Sequence, residues 1–291
     1  MLYPTRPLIP TLALLGALQI VGCSDDSNDP ANGGSPGGTD NALNDQSLAG
    51  GDAGRPGVLD PHLRDRGNAI CQSLRATIRD FRGFDEPGGH RDFFTCRSDG
   101  NATPGLVAPL LGSDQKPVYA DGPNVPKVYP QTSNRANFDQ WYRDVDGVNI
   151  PITVELPMTI PGGMAADRPV YAEYKNHHFY PIDGQGFGNT TVAGETHNFH
   201  FTTEIATTFR YERDKNLSFT FLGDDDVWVF VNGRLALDLG GCHPPVWGHI
   251  DFNAKAEELG LLDGEVYELR VFHAERHATG SKFKIITNIQ C

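Results

Sequence analysis

The chain has 291 residues, enough for one large or two small domains, and a net charge of −13. Its 33 glycines and 21 prolines, against only 3 methionines, are typical of a loop-rich β-protein. The negative charge argues against nucleic acid as a partner, because phosphate binding needs a basic surface.

The sequence of residues 1–63 predicts that the protein is exported and displayed at a cell surface. Residues 8–22 form an apolar stretch that is too short for a membrane-spanning helix and is typical of a signal peptide. The stretch ends at Ile20-Val21-Gly22-Cys23, which resembles the bacterial lipobox, so residues 1–22 are predicted to be a lipoprotein signal peptide and Cys23 the acylated residue. An ordinary signal peptide followed by an incidental cysteine is the alternative. Residues 23–63 are rich in Gly, Asp, Asn and Ser and predict a flexible acidic tether.

Residues 64–291 then predict one folded domain that is mainly β. Residues 68–79 predict a short helix or a helix followed by a strand, and residues 137–142 and 254–259 predict helical turns. Alternating or β-branched runs predict strands at 171–174, 198–203, 204–211, 217–222, 227–231, 234–239, 266–273 and 282–289. Pro- and Gly-rich connections are expected at 99–135 and 155–170. The sequence therefore predicts a single, mainly β domain with short helical turns and long loops.

An acidic cluster, Asp224-Asp225-Asp226, lies between two of these strands. Adjacent carboxylates repel one another and need a positive charge nearby, and calcium is the usual hard cation outside the cell. The alternative is a solvated acidic turn.

The following hairpin adds Asp238 to this cluster. Asn232-Gly233 is typical of a two-residue type I′ turn, which pairs Val231 with Arg234. Continued along the strands, this register pairs Phe230 with Leu235, Trp228 with Leu237 and Val227 with Asp238. It also brings Gly240 and Gly241 opposite Asp225 and Asp224, which leaves room for an ion. Asp224, Asp225, Asp226 and Asp238 are therefore the candidate calcium ligands.

Several side chains are candidate ligand-binding residues at the same end of the domain. His243 and Trp247 follow the second glycine, and Trp247 is expected either to stack on a sugar ring or to pack in its loop. Glu275, Arg276 and His277 follow a predicted strand and could complete the ligand shell. A zinc protease is disfavoured, because the Glu275 position does not fit the helical His-Glu-x-x-His spacing. Paired-carboxylate glycosidase chemistry is also disfavoured, because adjacent Asp residues cannot straddle a sugar.

Four cysteines remain in the folded part, in a compartment that permits disulfides. Three pairings are possible. Proximity in the sequence favours Cys71–Cys96, which leaves Cys242–Cys291. A cysteine metal site is the alternative, although no Cys-x-x-Cys spacing occurs.

The run from Gly223 to Gly233, Gly-Asp-Asp-Asp-Val-Trp-Val-Phe-Val-Asn-Gly, closely resembles the fibro-slime domain. The runs 198–204, 179–183 and 272–277 add to a resemblance that covers about residues 75–290. Fibro-slime domains are similar to the protective-antigen and flocculin-type lectin domain, so the resemblance implies that the fold is a single antiparallel β-sandwich or barrel. In flocculin-type members an Asp pair joined by a cis peptide bond binds Ca²⁺, and the ion coordinates sugar hydroxyls. The resemblance implies that Asp224 and Asp225 are this pair, and Asp226 stands where many lectin members have Gly.

The resemblance and the predicted anchor together imply a bacterial cell-surface or outer-membrane lipoprotein that binds carbohydrate in a calcium-dependent way. Its expected partner is a glycan or extracellular polysaccharide, and its only membrane contact is the lipid anchor. It is not expected to be an enzyme. The alternatives are a secreted surface hydrolase that uses the Asp and His residues, and a structural coat protein without a ligand.

Overall fold

The computed structural model describes residues 70–93, 100–120, 131–164, 169–278 and 280–291. Cys23, the predicted tether and Cys96 lie outside these ranges. No helix in the described ranges is long and apolar enough to cross a membrane. The described strands and helices are β1 Ser73–Phe81, α1 Arg135–Phe138, β2 Asn149–Pro157, β3 Ala172–Asn176, β4 Thr190–Val192, β5 Glu195–His197, β6 Phe201–Arg210, β7 Ser218–Gly223, β8 Asp226–Val231, β9 Arg234–Leu239, β10 Val246–Asp251, α2 Phe252–Leu259, β11 Val266–Glu275 and β12 Phe283–Thr287.

Two antiparallel sheets form a sandwich, as predicted. One has six strands in the order β2-β1-β6-β11-β8-β9, and the other has four in the order β10-β7-β12-β3. Alternate residues of both sheets meet in a shared apolar core, to which Val229 and Val271 contribute from the first sheet and Phe221 and Ile285 from the second. The period of two along each strand directs these side chains to one face, so the alternation in the sequence builds the core.

The six-stranded sheet is buried on its other face as well. Trp228, Phe230 and Phe272 point away from the sandwich core and pack against aromatic residues such as Phe138 and Trp141. These partners come from the long connection between β1 and β2, which therefore forms a third layer over the sheet. All six residues of β8 are buried in consequence.

Most predicted strands are confirmed, and the errors have local causes. The predicted helix at 68–79 is wrong, because β1 lies between β2 and β6 and its Ala76 and Ile78 are fully buried in the core. Tertiary pairing here overrides helix propensity. The two strands predicted at 198–203 and 204–211 form one strand, β6, while β10 and most of β2 lie where no strand is predicted. The first helical turn begins earlier than predicted, at Arg135, after the N-cap of Asn134.

The predicted hairpin register is correct only near the turn. Val231 pairs with Arg234 and Phe230 with Leu235, but the register then shifts, so that Trp228 pairs with Asp238 and Val227 with Leu239. Ala236 is the extra residue of this bulge, which the alternating sequence does not reveal. The predicted pairs Trp228–Leu237 and Val227–Asp238 are therefore wrong.

The predicted disulfide pairs are also wrong. Cys71 is bonded to Cys291, with their Cα atoms 5.0 Å apart. An antiparallel bridge between Ile70 and Gln290 brings these two cysteines together, although 220 positions separate them. Cys242 is disulfide-bonded too, and its partner lies outside the described residues.

Candidate functional site

Asp224 and Asp225 lie where the chain passes from β7 of one sheet to β8 of the other, and the peptide bond between them is cis. Asp224 Oδ1 accepts a hydrogen bond from the backbone N–H of Lys282 at 2.6 Å. Asp225 Oδ2 accepts from the backbone N–H groups of Arg276 and His277, each at 3.0 Å. The second oxygen of each carboxylate makes no hydrogen bond with the described residues. Backbone donors around the end of β11 and the start of β12 therefore fix one side of both carboxylates and leave the other side available.

Glu275, the last residue of β11, is the third carboxylate at this point. It is 1% exposed, and its Oε2 atom has no hydrogen-bond partner in the described part of the chain. Burial raises the pKa of Glu275 well above its usual value, and the charges of Asp225 and Asp224 raise it further. Burial likewise raises the pKa of Asp224 to about 6, with a smaller contribution from the Asp225 charge. The three groups are therefore close enough to repel one another when ionised.

These carboxylates do not form a complete protein cage for a metal. Within the described ranges, no three or more His, Cys, Asp or Glu side chains are grouped so that they could hold an ion.

Asp226 turns away from Asp224 and Asp225 and forms a fully buried ion pair with Arg276. The Arg276 Nε atom lies 2.6 Å from Asp226 Oδ2, and neither side chain is exposed. The Gly241 N–H donates to Asp226 Oδ1 at 2.5 Å. Arg276 also donates to the Gln131 carbonyl at 2.5 Å, and its guanidinium lies 4.7 Å from the Trp141 ring centroid. The ion pair therefore joins β8, the end of β11 and the loop layer.

Asp238 has a similar structural environment. Its Oδ1 accepts from the Trp228 indole N–H at 2.9 Å and from the Gly240 N–H at 3.1 Å, and its Oδ2 accepts from the Gly105 N–H at 2.8 Å. The space expected beside the two glycines is filled: a Cβ on Gly241, whose φ is +90°, would lie 2.9 Å from Thr103. Asp238 thus fastens the loop layer to β9.

The other candidate ligand-binding residues separate into buried and exposed sets. His243 is buried, and its ring nitrogens each lie 2.9 Å from a backbone carbonyl, of Pro244 and of Leu239. His277 is exposed beside Asp225. Trp247 is not in a loop but on β10, where it is 59% exposed on the outer face of the four-stranded sheet.

The structure adds three residues to which no role was assigned from the sequence. The Gly280 N–H donates to the Tyr180 hydroxyl at 3.1 Å, which places Tyr180 beside the segment that binds Asp224. The His197 ring stacks on Tyr180 with a centroid distance of 4.0 Å, and its Nδ1 lies 2.6 Å from Asp183 Oδ2. The run 179–183 belongs to the fibro-slime resemblance, but only the fold shows that Tyr180 meets His197.

Residues 171–291, which contain β3 to β12 and the Asp pair, match the PA14 domain. The PA14 domain is the protective-antigen type of domain, to which fibro-slime domains are similar.

Curated relatives come from Dictyostelium discoideum rather than from a bacterium. Protein psiQ is 36% identical over 217 residues, which is 71% of this chain and 20% of psiQ. Protein psiD is 38% identical over 192 residues, which is 64% of this chain and 36% of psiD. The chain thus spans only a fifth to just over a third of the length of these two relatives.

Among solved structures, the chain is similar to the Epithelial Adhesin 9 A domain of Candida glabrata in complex with Galβ1-4GlcNAc. The sequence identity is 11%, the TM-score is 0.33, and the match covers 74% of this chain and 81% of the adhesin chain.

Proposed function

We propose that this chain is a surface-displayed adhesion protein whose domain binds Ca²⁺ at Asp224 and Asp225 and, through the ion, a glycan. The observation that carries the proposal is the geometry of Asp224 and Asp225: backbone N–H groups hold one oxygen of each carboxylate, and the second oxygen makes no hydrogen bond with the described residues. The charges of Asp224, Asp225 and Glu275 repel one another, and a divalent cation bound by Asp224 and Asp225 would offset that repulsion.

The residues fit calcium better than a softer metal, because the donors are all oxygens. Calcium takes about six to eight oxygen ligands, so backbone carbonyls, water or sugar hydroxyls would complete the shell. The backbone N–H groups of Arg276, His277 and Lys282 would hold the two Asp carboxylates in place. A bound ion would supply open coordination positions for a pair of sugar hydroxyls.

Asp226 and Asp238 are left outside this shell. Each has both carboxylate oxygens engaged by donors of the protein, and Asp226 is already neutralised by Arg276. Their proposed role is to hold β8, β9 and the loop layer in the arrangement that presents Asp224 and Asp225.

The display part of the proposal rests on the sequence alone. A lipid on Cys23 and the acidic tether would carry the domain away from the membrane, toward a glycan or extracellular polysaccharide. The lipid would be the only membrane contact, nucleic acid is not a partner, and no chemical step is required of the protein.

Calcium titration by calorimetry of the EDTA-treated full-length chain tests the metal site. We expect the wild type to bind, and Asp224→Ala with Asp225→Ala to abolish binding. Glu275→Gln is expected to weaken binding about tenfold or more, since it removes a negative charge beside the two Asp ligands. Glu257→Gln, which changes an exposed Glu on α2, is the matched control and should bind like the wild type. A wild type that binds no calcium would refute the metal site.

A glycan array, read with calcium and with EGTA, tests the second half of the proposal. We expect signals that need calcium and that the Asp224→Ala, Asp225→Ala variant lacks. Calcium binding without any glycan signal would refute the adhesion role and leave a structural metal site.

A further inference from the structure

Trp247 stands at one end of a row of side chains on the outer face of the four-stranded sheet. The register pairs Trp247 with Leu222, Leu222 with Lys284, and Lys284 with Lys175, so one residue from each of the four strands lies on the same line. Their neighbours along each strand, such as Phe221, Ile250 and Phe283, are buried in the sandwich core. Because side chains alternate along a strand, all four members of the row face outward. The row crosses three strand spacings, about 14 Å.

The two lysines of this row are directly opposite each other, which is unfavourable for like charges. Lys284 has a counter-ion, since its Nζ lies 3.4 Å from Glu173 Oε2. Lys175 is exposed and has no ion-pair partner among the residues that the structure describes. The row therefore carries excess positive charge on a chain whose net charge is −13.

The aromatic end of the row adds a flat apolar surface to this charge. Trp247 is 59% exposed, and the Lys284 ammonium lies 5.8 Å from its ring centroid. A sugar ring that stacks its C–H face on Trp247 would meet the Lys284 ammonium at its edge, within reach of a ring carboxylate. A second acidic sugar along the row would meet Lys175.

From this juxtaposition we propose a second binding surface, formed by Trp247, Leu222, Lys284 and Lys175, for a polysaccharide that contains uronic acids. The surface contains none of the carboxylates of the proposed calcium site, so it binds without calcium. The charge pairs make the binding sensitive to salt, whereas the stack on Trp247 does not depend on salt.

The test measures binding of the full-length chain to polygalacturonate in EDTA, by affinity electrophoresis, at low and at high NaCl. Trp247→Ala is expected to weaken binding about tenfold, and Trp247→Phe to retain most of it. Lys284→Met and Lys175→Met should each weaken binding severalfold at low salt and reduce its salt dependence. Lys255→Met on α2, which removes an equal charge elsewhere, is the matched control, and thermal melting of each variant verifies folding.

Neutral dextran provides the second comparison and is expected to bind more weakly than polygalacturonate. Equal binding of the two polymers would overturn the choice of an acidic ligand. No binding in EDTA, or binding that Trp247→Ala leaves unchanged, would overturn the surface itself. Binding that requires calcium and is lost with Asp224→Ala and Asp225→Ala would also overturn it, while leaving the calcium-dependent site in place.

Discussion

Replacing Arg276 by methionine removes the only cation that directly contacts the fully buried Asp226 among the described residues. The pair has an Nε–Oδ2 distance of 2.6 Å, and both side chains are completely buried. Methionine fills much of the arginine stem's volume, so the main effect is an uncompensated carboxylate in the protein interior. The Gly241 N–H is the remaining donor to this carboxylate.

Loss of one partner of a buried pair costs about 3–5 kcal/mol of unfolding free energy. For a domain of this size, such a loss lowers Tm by about 10 °C. Arg143 provides the control, because it forms a pair of similar length with Asp114, at 2.7 Å, with side chains 31% and 46% exposed. Arg143→Met is expected to cost less than about 1 kcal/mol, as exposed pairs do.

Urea denaturation followed by circular dichroism measures these differences, and a double-mutant cycle isolates the pair. Arg276→Met combined with Asp226→Asn should cost at least about 2 kcal/mol less than the sum of the two single changes, because the double variant leaves no buried charge unpaired. Strict additivity, or a loss below about 1 kcal/mol for Arg276→Met, would refute the reasoning that this ion pair holds the loop layer on the sheet.

Three further changes test other features. Cys71→Ser with Cys291→Ser should reduce the free energy of unfolding by up to about 5 kcal/mol, because the bond closes a loop of 220 residues. Non-reducing peptide mapping of the wild type should find the Cys71–Cys291 peptide and no free thiol on Cys242. Burial raises the pKa of Asp80 from 3.8 to about 6, so the folded state binds this proton more tightly and the contribution of the group to stability falls as pH rises from about 4 to 6. Asp80→Asn should therefore gain up to about 3 kcal/mol relative to wild type between pH 4 and pH 7, measured by urea denaturation, and a pH-independent difference would contradict this. Cys23→Ser should abolish metabolic labelling with palmitate, and unchanged labelling would exclude an anchor at this residue.

The strands near the Asp pair could be predicted from the sequence because their information is local. β9 has the bounds that the alternating sequence predicts, Arg234–Leu239. The Asn232-Gly233 turn determines its first residue pairs with β8. The bulge at Ala236 could not be predicted, because nothing in the alternating sequence of β9 marks an extra residue. One extra residue was enough to move Asp238 from the level of Val227 to that of Trp228.

Long-range features were less predictable. Proximity in the sequence favoured the wrong partner for Cys71, since its neighbour in space comes from the end of the chain. The position of Asp224 and Asp225 could be anticipated from their motif, but Asp226 could not be assigned to Arg276 until β11 was placed beside β8. Trp247 was expected in a loop but lies on β10, where the neighbouring Gly248 packs closely against Leu237.

The Cys71–Cys291 bond also determines how the domain would respond to mechanical force. The bond lies at the end of the sandwich opposite Asp224 and Asp225, where β1 begins and where the segment after β12 returns to it. If a force is applied at Asp224 and Asp225 and resisted at residue 70, it acts parallel to β1 and to the two strands that pair with it. The nine residue pairs with β2 and five with β6 would then be loaded together in shear rather than opened one after another. Pulling at Cys71 cannot peel away β1 alone either, because the disulfide shares the tension with the segment after β12.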